Sequence, residues 1–509
     1  MSADTSQSPA LDLLSQRLKR IATLGSCEAT LSWDEQVLMP PKGGEARAEQ
    51  LALLAELKHE WCTSSRHADA IAGANEELTE DSSWQARRTV EEAQRQFEKA
   101  TKLPLSLVTE LTKTGSKAQH VWAEARSKND FALFQPWLEK MIGLKQEEAA
   151  VKQAGEETLY DVMLDDYEPG MTSKEVARVF SSLRDDLSGL LKRITDSGTS
   201  VPRELVESPA RSFSQTAQDA FSKFVVEKIG FDFQAGRADI SVHPFCSGNA
   251  PGDCRITTRF DEHNICMALF GMLHEAGHGM YEQGLLTEYF GTAPGEFVSL
   301  GIHESQSRFW ENNIGRSLPF WKQFYPQLQQ YFPGQFDDVS LEQFYRAINE
   351  VRQSMIRVEA DEVTYSLHVI LRFELEQALL SGDLKVADLP QVWNENMERS
   401  LGVVPTTDAE GCLQDVHWSC GLFGYFPTYA LGNMYAAQFW ATYQQQQPTA
   451  IEQVETGEFR PIHSWLNEAI HAQGKRYSST ELVSEVCGEV SSQPLIDYLT
   501  KKYEEIYHL

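Results

Sequence analysis

The sequence predicts a mainly α-helical protein: a large helical body with one small β-sheet. Three observations predict it. Apolar residues recur at three- and four-residue spacing along most of the chain, the mark of helices with one buried face. Only two short segments, 239–242 and 255–260, alternate and carry β-branched residues as strands do. Turn-forming clusters separate the periodic stretches, and no fixed-period repeat appears, which argues against a solenoid.

The helical spacing runs first through 11–24, 46–61 and 84–99. It continues through 131–164, 173–194 and 214–229, then 265–283, 297–314, 341–353 and 360–380. The last third adds 421–443 and 462–471. Between them fall breakers such as Met39-Pro40-Pro41-Lys42-Gly43-Gly44, Pro169-Gly170 and Pro294-Gly295. A loop rich in Gly and Pro joins the two expected strands, which lie just before the helix expected over 265–283. An exposed strand edge there can pair with a peptide through main-chain hydrogen bonds.

A chain of 509 residues exceeds one typical domain and suits either two domains or one helical body with a long groove. An apolar fraction of 41% and an aromatic fraction of 10% supply a sizeable core and exclude overall disorder. The net charge of −29 excludes a basic nucleic-acid-binding stripe and opposes an anionic membrane surface. It suits solubility, or steering toward cationic peptides. The N-terminus lacks the basic and apolar regions of a signal peptide, and no run of about 18 apolar residues occurs, so a cytoplasmic location without membrane contact is expected. The eight cysteines form no CxxC pair and are expected as thiols.

The main chemical signal is Leu273-His274-Glu275-Ala276-Gly277-His278-Gly279, an H-E-x-x-H pattern. On a helix, i and i+4 stack on one face, so both imidazoles can bind one Zn²⁺. Glu275 can then take a proton from a metal-bound water and pass it to the leaving amine. The spacing favours Glu304, 26 residues after His278, as the third ligand. His303 projects about 100° away around a helix and is expected to touch the ligands or the substrate rather than the metal.

With these residues in view, the chain resembles the thermostable-carboxypeptidase family of zinc metallocarboxypeptidases, the carboxypeptidase Taq type. The matching motifs run in order through His243-Pro244-Phe245, Asp253-Cys254-Arg255-Ile256-Thr257 and H-E-x-x-H. They continue through His303-Glu304-Ser305-Gln306, Ile356-Arg357-Val358-Glu359-Ala360-Asp361 and Gly411-Cys412-Leu413-Gln414-Asp415-Val416-His417-Trp418. Trp33-Asp34 to Met39-Pro40 and Arg47-Ala48-Glu49-Gln50-Leu51 look like the family's opening.

The resemblance covers about residues 10–505. It implies an almost wholly helical fold with a deep substrate groove, a small sheet and a homodimer. One catalytic unit over 1–509 is expected, with a helical part over about 1–230 and a metal-site part over about 231–509. The implied activity is release of single C-terminal residues from peptides, with broad specificity, poor action on C-terminal Pro, and Zn²⁺ or Co²⁺ as the metal.

A carboxypeptidase must bind a terminal carboxylate, and an arginine fork suits that task. The resemblance points to Arg357; chemistry alone leaves Arg255, Arg308, Arg352 and Arg372 as rivals. For the oxyanion the resemblance offers His243, His417 and Tyr429, with Tyr425 and Tyr435 as competitors. Asp253 or Asp361 is expected to orient a ligand histidine. The alternatives are a helical zinc oligopeptidase or dipeptidyl carboxypeptidase and, more remotely, a non-catalytic peptide-binding protein. The Gly-x-Met-Glu-Asn motif common in aminopeptidases is absent.

Overall fold

A computed structural model describes residues 9–155 and 157–509. The expectation for the first eight residues, part of the stretch read for a leader, lies outside them. Among the described residues are 20 α-helices and one three-stranded sheet. No helix among them is long and apolar enough to cross a membrane.

Most expected helices form, with boundaries set by local chemistry. The Ser173–Asp196 helix starts at a capping box in which Thr172 and Glu175 satisfy each other's backbone N–H groups. The expected stretch 131–164 divides into Phe131–Lys152 and Leu159–Leu164, because Thr158 and Asp161 form a second capping box inside it. The stretch 341–353 keeps only Leu341–Ala347 as helix. Seven helices of seven or more residues lie outside the expected stretches: Ser65–Glu76, Leu105–Lys128, Leu318–Tyr331, Leu389–Leu401, Ala450–Thr456, Ser479–Cys487 and Gln493–Tyr507.

The sheet corrects the strand expectation. Its strands are β1 (Gly236–Ile240), β2 (Cys246–Ala250) and β3 (Asp253–Thr258), in the order β1-β3-β2. β1 runs parallel to β3, and β2 runs antiparallel to it with a bulge between Gly248 and Ala250. β2 occupies the stretch where the sequence predicts a joining loop, since Cys-Ser-Gly-Asn-Ala has no β-branched residue to mark a strand. β3 is central and buries Cys254, Ile256, Thr257 and Thr258. Thr258 reaches the following Ile265–Gly284 helix by donating from Oγ1 to the Ala268 carbonyl at 3.2 Å.

One apolar core extends from Ala118 to Tyr507, with Trp310, Trp321 and Trp393 almost wholly buried in it. A second, much smaller cluster joins Leu14, Ala70, Ile71, Ala74, Val90 and Ala93 in the first hundred residues.

Candidate metal centre and active site

His274, Glu275 and His278 lie on the Ile265–Gly284 helix. Asn264 starts it, its side-chain oxygen accepting from the N–H groups of Cys266 and Met267. The helix crosses the Leu300–Arg308 helix very closely at Gly277. A Cβ there would lie 2.4 Å from the Gln306 carbonyl oxygen and 2.6 Å from the Ser307 Cα. Only glycine permits that approach, and the approach brings Glu304 to the histidines. Glu304 Oε2 stands 3.6 Å from His274 Nε2 and 3.4 Å from His278 Nε2.

One ligand atom from each of these three residues lies within 4.8 Å of the others. A tetrahedral ion with bonds of about 2.0–2.2 Å sets its ligand atoms roughly 3.3–3.6 Å apart. The residues therefore fit a divalent metal ion.

Each donor is held from behind. His274 Nδ1–H donates to Glu311 Oε2 at 2.9 Å. Glu311 is presented by π-helical turns, Phe309–Ile314, so the helix expected through Ile314 changes character after Arg308. Arg308 donates to Glu304 Oε1 at 2.7 Å and to Glu311 Oε2 at 3.1 Å. Ser307 Oγ–H donates to Glu304 Oε2 at 3.0 Å. His278 Nδ1 lies 2.6 Å from His303 Nδ1, and His303 Nε2 lies 2.8 Å from Glu282 Oε1.

The aspartates expected to orient a ligand histidine do other work. Asp253 receives Arg255 through two bonds of 2.8 Å. Asp361 accepts from the N–H groups of Val363 and Thr364. The supports that sequence reasoning missed are Glu282 and Glu311. Both had a signal: Glu282 falls four residues after His278, and Glu304, Arg308 and Glu311 recur at i, i+4 and i+7.

Burial sets the electrostatics. It pushes Glu275 up to about 7, against His274 and with the help of Glu304 and Glu311. Glu275 is 6% exposed, and among the described residues no hydrogen bond reaches its carboxylate. Burial pushes His278 down to about 3, which leaves a neutral ring, the form that binds metal. Burial opposes ionisation of Glu304 and Glu311 too, yet Arg308 and the histidines hold Glu304 well below the usual carboxylate range and Glu311 at about 2.

A second buried cluster adjoins the first. Arg357 is 5% exposed. Its Nε and Nη2 donate to Asp415 Oδ1 at 3.0 and 2.9 Å, and its Nη1 donates to the Tyr365 hydroxyl at 3.1 Å. The other oxygen of Asp415 accepts from Nε of the fully buried Arg372 at 2.6 Å. Two guanidiniums thus share one carboxylate. Despite its burial, they hold Asp415 well below the usual range.

His417 Nδ1 lies 3.9 Å from Asp415 Oδ1, and its Nε2 lies 3.4 Å from the Tyr429 hydroxyl. Burial pushes His417 down to about 4. The Arg357 guanidinium sits 5.0 Å over the Tyr429 ring, and Tyr425 meets Tyr429 edge-on at 5.2 Å. Tyr365 joins the two clusters, because the Arg308 guanidinium lies 4.4 Å over its ring.

Arg357, His417 and Tyr429 are therefore brought together beside the three candidate ligands. His243 is exposed, between β1 and β2, and among the described residues its ring has no hydrogen-bond partner. Of the rival arginines, Arg255 stacks on Trp33 at 4.3 Å, Arg352 is half exposed beside Glu350, and Arg308 and Arg372 belong to the clusters above. Tyr435 is fully buried.

The chain is similar to known proteins over nearly its whole length. The family model described as carboxypeptidase Taq (M32) metallopeptidase matches residues 13–503. Thermostable carboxypeptidase 1 of Thermus thermophilus is 43% identical, over 96% of this chain and 97% of that protein. Carboxypeptidase 1 of Bacillus subtilis is 41% identical, over 97% of each. The crystal structure of the M32 carboxypeptidase from Deinococcus radiodurans superposes with a TM-score of 0.95 at 37% identity, covering 99% of this chain and 100% of that one.

Proposed function

The chain belongs to the carboxypeptidase Taq (M32) metallopeptidase family and is a metallocarboxypeptidase acting on peptides, and from that premise we propose that it is zinc-dependent and releases single C-terminal residues with broad specificity. One observation carries the reading. A buried group rich in carboxylates, with two imidazoles, calls for a cation, and a buried group with surplus arginine calls for an anion. Tyr365 touches both. A peptide whose scissile carbonyl meets the first and whose terminal carboxylate meets the second is cut one residue from its end.

His274, His278 and Glu304 would hold the zinc ion. Bound there, it supplies Lewis acidity toward the peptide carbonyl and lowers the pKa of water. Glu275 takes a proton from the attacking water and delivers it to the leaving amine. Its carboxylate is suited to this, being buried and, among the described residues, without a hydrogen bond that would tie it elsewhere. Arg357 binds the terminal carboxylate with the N–H groups that Asp415 and Tyr365 leave available. Tyr429 and His417 present a hydroxyl and an imidazole beside that arginine and donate toward the substrate's carbonyl or its developing oxyanion.

His243, exposed after β1, is assigned to the same oxyanion from the resemblance, as are the homodimer, cobalt as a substitute metal and poor action on C-terminal Pro. Light scattering on the purified protein checks the dimer.

The test is a peptide with a blocked N-terminus, followed by mass spectrometry, with its C-terminal amide as control. A ladder losing one residue per step from the free acid, and little cleavage of the amide, is expected. Internal cuts, losses of two residues, or equal cleavage of the amide would sink the carboxylate-anchor assignment.

A further inference from the structure

We propose that Glu282 and His303 are positioning residues of the metal centre, holding His278 in the one tautomer that leaves Nε2 open to the metal, and that Gly248 of β2 is the seat keeping Glu282 in place. The inference rests on the His274–His278–Glu304 site proposed above.

A carboxylate only accepts hydrogen bonds, so Glu282 Oε1 requires a proton on His303 Nε2, 2.8 Å away. A neutral His303 then has a bare Nδ1, which can only accept. Its partner at 2.6 Å, His278 Nδ1, must therefore carry the proton. That leaves the His278 Nε2 lone pair facing Glu304 Oε2 at 3.4 Å. The His303 ring cannot turn away freely, being packed by Phe297 at 4.9 Å and Tyr281 at 5.2 Å. The two ligands are thus oriented differently: His274 meets its carboxylate directly, whereas His278 meets one through a second imidazole.

The carboxylate is in turn seated by the sheet. A Cβ added at Gly248 would lie 2.2 Å from Glu282 Oε2 and 2.5 Å from its Cδ. Those atoms are the far end of a flexible side chain, so alanine at 248 displaces the carboxylate rather than the fold. Room for the displacement exists, because Glu282 and Gly248 border a cavity of about 240 Å³ that Phe297 and Leu286 also line. The strand missed in the sequence therefore acts on a metal ligand through one glycine and two side chains.

The experiment measures zinc affinity by competition with a chromogenic chelator, and the visible spectrum of the cobalt-loaded protein. Gly248→Ala, Glu282→Gln, His303→Ala and His303→Gln are compared with His274→Ala. Loss of an outer partner of a ligand histidine typically costs about 10–100-fold in metal affinity. We expect that loss in Glu282→Gln and His303→Ala, with a shifted cobalt spectrum. A smaller loss is expected in Gly248→Ala, with its thermal midpoint near that of the parent apo-protein. His303→Gln, whose amide both accepts and donates, should recover part of the affinity lost in His303→Ala. Unchanged affinity and spectrum in the first three variants, with metal lost in His274→Ala, overturns the relay and leaves the metal site standing. Full metal retention in His274→Ala overturns both.

Discussion

Two buried ionic groups sit side by side in this protein and have opposite excesses. Around the ligand triad, three carboxylates, Glu275, Glu304 and Glu311, face two guanidiniums, Arg308 and Arg316. Around Arg357, two guanidiniums face the single carboxylate of Asp415. Burying charge without compensation is costly, and removing one partner of a buried pair typically costs about 3–5 kcal/mol. An imbalance of either sign in the interior marks a place where something else supplies the missing charge. Here the first group has more carboxyl groups than guanidiniums, and the second has more guanidiniums than carboxylates. That pairing is the ground for the proposal that the site takes two occupants at once, a metal ion and an anionic chain end.

The hardest blow to this contrast is Glu275→Gln. It removes the proposed base and neither ligands nor anchor, so kcat should fall about 10²–10⁴-fold while metal content and KM stay close to the parent's. Steady-state kinetics and metal analysis check it, and an unchanged kcat would remove Glu275 from the chemistry. Next comes Arg357→Ala. It should lower kcat/KM for free-acid peptides by about 10²-fold, within the range of about 2–5 kcal/mol for truncating a buried charge partner. The already poor cleavage of the amide should hardly change, and an equal loss on both substrates would break the assignment of the second group to a carboxylate. Glu311→Gln acts on the first group alone and should weaken zinc binding about 10–100-fold, read by chelator competition, with Arg357 still effective.

The smallest expected effect concerns pH. Glu376 lies one turn from Arg372 and accepts from the Tyr160 hydroxyl, the Trp418 Nε1–H and the Gly424 N–H. Burial pushes it up to about 7 against these donors and Arg372. The folded pKa lies above the ordinary value of 4.5. Its contribution to stability is therefore full below about pH 4.5 and is lost as pH rises through about 7, on the order of 3 kcal/mol in all. In the same window an ionised Glu376 offsets the positive excess around Arg357. Thermal midpoints between pH 5 and 8 should fall less in Glu376→Gln than in the parent, and identical slopes would show that this carboxyl does not titrate there.

The legible parts of the site were those governed by a single helix. His274, His278 and the place of Glu275 follow from 3.6-residue periodicity, and Glu304 was favoured because a returning helix needs about that much chain. Glu282 and Glu311 followed the same periodicity and were readable in principle. β2 was not, because its five residues carry no strand preference and form a strand only by pairing with β3. The Asp415 carboxylate shared by Arg357 and Arg372 was equally hidden, since 58 and 43 residues separate the partners.

The sequence by itself determined the helical class, the two-histidine face with its glutamate, and the family. Those rest on short-range geometry, or on ordered motifs that no rearrangement of the chain alters. Tertiary structure alone decided that helices cross at Gly277 closely enough to gather the three candidate ligands, that Tyr365 bridges the two ionic groups, and that a strand leans on Glu282. Such contacts depend on how distant elements pack in a core at crystal-like density, where a single Cβ at the wrong position moves an entire helix.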